Sequence, residues 1–204
     1  MYNKSFAVEI EGIEASHLIF NNEAAMFSVP AKTRTESYEE HEETYWLHKA
    51  HLDSKSGVII PGIWIKKMLI ASQGQSACPI RPEGARRANA TLKDLMISCV
   101  QILDSKVSNK KGDMLTKENL VPFKKCVNRG TYSAPKKVPV IRPCIENGDW
   151  KTVMKVVVLD KRINAAVLQE VLTWGGIFNG MGDWRPQRAG SCGMFTVIKV
   201  TEVE

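Results

Sequence analysis

Long apolar runs are absent from this 204-residue sequence. No stretch approaches the roughly 18 consecutive apolar residues that a membrane-spanning helix requires. Residues 1–12 alternate charged with apolar side chains and lack the apolar core of a signal peptide. We therefore expect a cytoplasmic protein without membrane contact. With 44% hydrophobic and 25% charged residues, the composition is that of an ordinary globular protein.

Cysteine and histidine are sparse and poorly spaced for a metal site. The five cysteines are an odd number without a CxxC pair, which argues against a disulfide framework and a zinc knuckle and favours incidental thiols in a reducing cytoplasm. His41, His48 and His51 lie near four glutamates, but no HExxH motif is present, so a solvated acidic face is the favoured interpretation. We predict neither a metal nor a cofactor. The cysteines are Cys78, Cys99, Cys126, Cys144 and Cys192.

Charge is distributed unevenly along the chain. The net charge is +6, yet residues 1–60 carry 5 Lys and Arg against 10 Asp and Glu, a net of −5. Residues 61–204 carry 23 against 12, a net of +11. An acidic front followed by a basic remainder indicates a polyanionic partner for the basic part, with a general solubility bias as the alternative.

Hydrophobic periodicity predicts strands and helices in the first half of the chain. Predicted strands cover residues 5–10, 18–20, 26–29 and 58–60. Predicted helices cover residues 63–72 and 85–103, joined by a glycine- and proline-bearing link at 74–84. The polar, glutamate-rich stretch at about 32–55 is interpreted as an insertion that projects from the body of the protein.

The second half combines a basic segment with a strand–helix–loop–strand unit. Residues 104–150 are rich in lysine, and short strand-like pieces at 121–123 and 138–141 predict a basic hairpin or flap. A strand at 152–159 precedes a helix that Asn164 caps and that Gly175-Gly176 is expected to end. The final strand is predicted at 194–200.

A glycine-rich loop before the last strand carries the clearest chemical signal. It reads Gly180-Met-Gly-Asp-Trp-Arg-Pro-Gln-Arg-Ala-Gly-Ser-Cys-Gly-Met-Phe195. Its glycines let the backbone approach a ligand and expose N–H groups, Arg185 and Arg188 match phosphates, and Trp184 offers a stacking face. These features suit a polynucleotide backbone; a plain helix-to-strand turn is the alternative.

Two common nucleotide sites are disfavoured. No GKS or GKT is present, which removes a P-loop NTPase. The dinucleotide fingerprint GxGxxG should follow a strand and open a helix, whereas these glycines follow a helix and precede a strand.

The sequence resembles the RAMP superfamily, ferredoxin-like and RRM-related proteins that bind guide RNA in class 1 CRISPR effector complexes. The resemblance rests on Gly-x-Gly and Gly-x-x-Gly-x-Phe motifs before the last strand, and on Ile59-Ile60-Pro61-Gly62 leading into a helix. It is closest to small phage-encoded relatives with a Gly-Asp-Trp-Arg-Pro loop. It covers about half of the chain, and Ile63-Trp64 replaces the usual Ser-Ser.

The resemblance implies an α+β fold: one RRM or ferredoxin-like domain over residues 1–204, with insertions at about 32–55 and 104–150. It implies non-catalytic binding of single-stranded RNA or DNA as an oligomer, a filament or a subunit of a nucleoprotein assembly. The acidic insertion of one copy would then meet the basic surface of the next.

We expect loop, flap and helix residues to contact the nucleic acid together. They are Gly182, Trp184, Arg185, Arg188, Gly190 and Gly193 in the loop, Lys124, Lys125, Arg129, Lys136 and Lys137 in the flap, and Lys66 and Lys67 on the helix at 63–72.

Two other functions stay open. Some RAMP proteins cut RNA with a histidine, and His17 lies in the corresponding early region, so a metal-independent endoribonuclease is the first alternative. The second is a phage protein that inserts into or inhibits a host nucleoprotein complex, its acidic front imitating nucleic acid. Of the three, we favour binding without enzyme activity.

Overall fold

A computed structural model describes the backbone of residues 2–70, 88–131 and 134–203. Within these ranges the side chains of residues 88–93, 128–131 and 134–136 are not described. The link predicted at 74–84, together with Cys78, lies outside the described residues.

The described residues form nine strands and four α-helices. The strands are β1 (Lys4–Gly12), β2 (Leu18–Ile19), β3 (Ile59–Ile60), β4 (Val100–Ile102), β5 (Ser105–Ser108), β6 (Val121–Thr131), β7 (Ala134–Ile145), β8 (Lys151–Val158) and β9 (Phe195–Val203). The helices are α1 (Tyr38–Tyr45), α2 (Gly62–Ile70), α3 (Ala88–Cys99) and α4 (Ala165–Phe178).

The larger sheet has the strand order of a ferredoxin-like domain. The order is β3-β5-β8-β1-β9, with β4 also paired to β8, and the pairs on both sides of β1 are antiparallel. Helices α2 and α3 lie in the chain between β1 and β4, and α4 connects β8 to β9. This β-α-β-β-α-β arrangement is the α+β architecture predicted from the sequence.

Strict alternation turns one face of this sheet to the core. Phe6, Val8 and Ile10 on β1 are buried together with apolar residues of β8, and Ile65 of α2 and Leu168 of α4 belong to the same cluster. The intervening residues of β8 face the other way: Val153 is 60% exposed. The helices therefore cover one face, and the other is open to solvent at β8.

The basic flap is a long two-stranded hairpin. Strands β6 and β7 are paired without interruption from Val121↔Cys144 to Thr131↔Ala134, far beyond the short pieces predicted from the sequence. Strand β2 adds Leu18↔Ile145 and Ile19↔Cys144 to the hairpin base. A second, three-stranded sheet β2-β7-β6 thus arises beside the first.

Three sequence predictions about local structure are wrong. Residues 26–29 are not a strand; a 3-10 helix covers Ala24–Ser28. The helix predicted to reach residue 103 ends at Cys99, because Val100 pairs with Val158 of β8 and the chain becomes β4. Pairing with an existing strand outweighs helical periodicity at this point.

The third error is the helix stop at Gly175-Gly176. Helix α4 continues to Phe178, and both glycines are buried inside it. A Cβ at Gly175 would press on Met68 of α2, and one at Gly176 would collide with the Phe195 carbonyl of β9. These glycines permit close packing, and the left-handed turn comes later, at Gly180, with φ +62°.

The acidic insertion does not project freely, because α1 docks against β7. Lys49 is 2% exposed, and its ammonium donates to Glu42 and to the Ile141 carbonyl at 3.0 Å. The Glu42 carboxylate also accepts from the Ile141 N–H at 2.8 Å. Two side chains therefore satisfy both backbone groups of Ile141 on the outer side of the hairpin.

None of the described helices has the length and apolar character needed to cross a membrane.

Candidate nucleic-acid interface

An open cavity of about 850 Å³ lies between the end of α2 and the glycine-rich loop. Three of its lining residues are cationic, two are apolar, and one is a carboxylate. The described lining residues are Lys67, Ile70, Asp183, Trp184, Arg185, Gln187 and Arg188. The fold therefore brings the predicted loop residues together with one lysine of the helix predicted at 63–72.

The loop's shape depends on glycines that approach the protein's own backbone. A Cβ at Gly190 would collide with the Trp184 carbonyl, one at Gly193 with Met181, and one at Gly182 with Ile19. Gly190 N–H donates to the Arg185 carbonyl at 3.1 Å, and Gly193 N–H to the His17 carbonyl at 2.7 Å. The expectation that the loop leaves its N–H groups exposed is therefore wrong for Gly190 and Gly193, because folding the loop uses them.

Trp184 stands where the loop meets the hairpin. Its φ of +49° is left-handed, and its indole ring lies 5.2 Å from the ring of Phe123 on β6. The Lys125 ammonium lies 4.8 Å from the Trp184 ring centroid, in cation–π range. Trp184 is half-buried, so one part of the indole packs on the protein while the rest lines the cavity.

The two loop arginines differ in their freedom. The Arg185 guanidinium donates to the Gly182 carbonyl at 2.9 Å and to Gln187 at 3.1 Å, which fixes its direction. Burial lowers the pKa of Arg185, and the nearby Arg188 lowers it further, as expected where two cations share a site. Arg188 is exposed. Together with Lys67 they give the cavity rim a positive charge.

The predicted flap lysines do not share one surface. Lys124 and Lys125 are consecutive in a strand and so lie on opposite faces. Lys125 faces Trp184, whereas Lys124 pairs with Glu43 of α1 at 2.6 Å. Lys137 is exposed further along β7. Arg129 and Lys136 are directly paired in the register, but their side chains lie outside the described part of the structure.

Neither Lys66 nor His17 is among the described residues that line the cavity. Lys66 is half-buried on α2. The His17 ring lies 5.7 Å from the Phe123 ring, and its Nδ1 accepts from the Asn147 N–H at 3.3 Å. The hairpin base thus connects His17, Phe123 and Trp184 in one aromatic row.

A small buried cluster supports the loop from beneath. Cys144 of β7 and Cys192 of the loop are buried with Ile19. Burial raises the pKa of Cys144 to about 12 and raises that of Cys192 as well. In this cluster both thiols pack as small hydrophobic side chains.

The sequence did not indicate Ile70, Asp183 and Gln187 of the cavity lining, nor Phe123 and Arg142 next to the loop. Asp183 and Gln187 stand inside the loop motif but carry no signal that separates them from ordinary turn residues. Phe123 lies within the lysine-rich segment, so the sequence gives no separate signal for its aromatic ring. Arg142 gives only a weak signal, as one of three arginines that precede a proline and are held extended by it.

Comparison with solved structures identifies the class of fold. One chain of the cryo-EM structure of the type III-B Cmr-beta bound to cognate target RNA aligns with 99% of this chain at a TM-score of 0.54 and 11% identity. The crystal structure of Cmr6 from Pyrococcus furiosus aligns over 96% of this chain and 99% of its own, with a TM-score of 0.49 and 11% identity. This chain spans 61% of the Cmr-beta chain.

No family model matches the sequence, and no curated protein matches it. At 11% identity, the likeness to the Cmr-beta chain establishes the fold. The α+β, ferredoxin-like fold that the RAMP resemblance implies is therefore confirmed.

Proposed function

We propose that this protein binds single-stranded nucleic acid without cleaving it, and that it does so as an oligomer or as a subunit of a nucleoprotein assembly. The observation that carries the proposal is the cavity in which Lys67, Arg185 and Arg188 surround the exposed part of Trp184. Cations that track a backbone beside an aromatic ring that stacks a base are the usual means of holding a single strand.

The geometry favours an extended strand over a free nucleotide. The cavity is open, and Lys125 of the basic hairpin lies over the ring of Trp184, one of its lining residues. A strand seated on Trp184 has further cations within reach on β6 and β7, such as the exposed Lys137. The Cmr-beta neighbour, whose fold this chain shares, is bound to target RNA.

The charge asymmetry supports assembly. Three glutamates of α1 are already used within the chain: Glu40 by the capping box with Ser37, Glu42 by Lys49 and Glu43 by Lys124. Glu39 is exposed on α1, where its charge helps to raise the pKa of Lys124, and Glu36 accepts from the nearby Thr33 N–H; Glu39 is the glutamate that we propose for contact with the basic surface of another copy.

Salt dependence of binding tests the proposed site. Fluorescence anisotropy with labelled single-stranded RNA and DNA should show that the logarithm of the binding constant falls linearly with the logarithm of the salt concentration. For Lys67→Ala/Arg188→Ala the slope should fall by about 0.7 for each lost phosphate contact. Both residues line the cavity, and Arg188 is exposed, so its loss leaves the loop's internal hydrogen bonds intact.

The matched control removes two cations elsewhere. Lys161, before the N-terminus of α4, and Lys199 on β9 are both exposed. Lys161→Ala/Lys199→Ala has the same net charge as the test variant and should keep the wild-type slope. Equal slopes in all three proteins would reject the site, and absence of wild-type binding would reject the function.

The same samples decide the nuclease alternative. The RNA is recovered and run on a denaturing gel after incubation without metal. We expect intact RNA, since the described structure gives His17 no catalytic partner and its Nδ1 is hydrogen-bonded to Asn147. Specific cleavage that disappears in His17→Ala would replace the binding proposal by an endoribonuclease.

A further inference from the structure

A chain of charged side chains crosses from α1 to the glycine-rich loop. It begins with Lys49 and Glu42, which form a buried ion pair. Arg142 of β7 follows, with its Nη1 3.9 Å from a Glu42 oxygen and its Nε 3.5 Å from an Asp183 oxygen. The chain ends at Asp183, the one carboxylate among the described residues that line the cavity.

Asp183 works against the proposed function unless its charge is compensated. It lines the same cavity as Lys67, Arg185 and Arg188, and a carboxylate there repels a phosphate. The loop nevertheless uses this side chain: Asp183 Oδ1 accepts from the Trp184 N–H at 3.1 Å and supports the left-handed turn at Trp184.

Arg142 stands behind the cavity and reaches Asp183 from the protein side. Its side chain is 14% exposed, against 29% for Asp183, and it is absent from the cavity lining. Its Nε makes no hydrogen bond in the described structure, so its effect on Asp183 is one of charge rather than a fixed hydrogen bond. Low exposure strengthens such a charge interaction relative to a surface pair.

We propose that Arg142 is a positioning residue of the nucleic-acid site, which neutralises Asp183 so that the cavity presents a net positive charge to phosphate. The inference rests on the proposed function. Asp183 then has a structural role in the loop, and Arg142 of the hairpin compensates its negative charge. Because Arg142 also lies near Glu42, the charges of α1, the hairpin and the loop act on one another.

Charge removal and rescue test the proposal. Arg142→Gln should bind the single-stranded RNA about fivefold more weakly than wild type at low salt, the effect of one uncompensated charge near a partly exposed site. Arg142→Gln/Asp183→Asn should recover wild-type affinity, because the asparagine oxygen still accepts from the Trp184 N–H while the charge is gone. A merely structural role for Arg142 would not be rescued by a second substitution.

The matched control is a second Arg–Asp pair. Arg162 and Asp160 lie 2.7 Å apart before the N-terminus of α4. The 14-residue helix α4 separates them from the loop, a length of about 21 Å. Arg162→Gln, alone or with Asp160→Asn, changes net charge by the same amounts and should leave the affinity within twofold of wild type.

Each outcome has one meaning. If wild type does not bind, the proposed function fails. If wild type binds but Arg142→Gln binds equally well, or the double variant stays as weak as the single one, the role of Arg142 is rejected. If Arg142→Gln does not fold, Asp183→Asn and the double variant decide: Asp183→Asn should bind more tightly than wild type and the double variant like wild type, and a double variant that binds as tightly as Asp183→Asn overturns the role of Arg142.

Discussion

Gly193 illustrates how single residues shape the candidate site. Its φ is +70°, and a Cβ would collide with the Met181 carbonyl. The same residue donates to the His17 carbonyl, which fastens the loop to the hairpin base. Glycine is therefore required here by geometry within the protein, before any ligand is considered.

We expect Gly193→Ala to lower the free energy of unfolding by about 3 kcal/mol, since backbone strain adds to a steric clash. Gly112→Ala is the matched control: its φ is +104°, but nothing lies within 4 Å of a Cβ there. Gly112→Ala should lower the free energy of unfolding by only about 1 kcal/mol, because backbone strain is its only cost. Urea unfolding followed by circular dichroism measures both; equal costs would mean that the predicted clash relaxes.

Helix α1 shows that composition alone does not reveal whether a helix is solvent-exposed or packed on the protein. The sequence YEEHEETY has the look of a solvated acidic face, and its N-terminus does carry a capping box between Ser37 and Glu40. One of its glutamates is nevertheless taken into the protein by Lys49 and Ile141, while the next one pairs at the surface.

The two neighbouring glutamates should differ sharply in mutational cost. Glu42→Gln leaves the Lys49 ammonium buried without a full counter-charge, which should destabilise the fold by about 3 kcal/mol in urea unfolding. Glu43→Gln breaks only the exposed pair with Lys124 and should leave the urea midpoint nearly unchanged. Glu42→Gln/Lys49→Met should regain stability relative to the single variant. Equal effects of the two single variants would contradict the docking of α1 on β7.

A net charge of +6 conceals an acidic and a basic region, which meet where α1 lies against the hairpin. The hairpin, α2 and the glycine-rich loop gather cations around Trp184. The acidic front supplies Glu42 and Glu43 to its own hairpin and keeps Glu39 exposed. Under the proposed function, assembly along a strand would use both regions.

Light scattering of protein mixed with single-stranded oligonucleotides of increasing length tests this arrangement. We expect the complex mass to rise in steps of one 22.8 kDa protomer as the strand lengthens, and the steps to disappear at high salt, where both phosphate and inter-copy contacts are screened. Glu39→Gln should reduce stepwise growth more than it reduces binding of a short strand. A single protomer on strands of every length would exclude a filament.

Local sequence patterns determine much of this protein's secondary structure and the course of the glycine-rich loop. Alternation in β1 and β8, the Asn164 cap of α4 and the Gly-Asp-Trp-Arg-Pro loop follow from propensity, capping and turn chemistry within a few residues, and each is visible in the sequence. The fold class followed from the same elements together with the RAMP resemblance.

Which elements pair and pack with one another depends on the tertiary structure. Only pairing with β8 turns residues 100–102 into a strand, and only packing against Met68 and Phe195 explains glycines inside α4. The partners of Lys124, Lys125 and Asp183 come from residues 81, 59 and 41 positions away, Glu43, Trp184 and Arg142. The sign of each charge is visible in the sequence. Whether a charge is compensated depends on which strands the fold brings together, because charges interact through space.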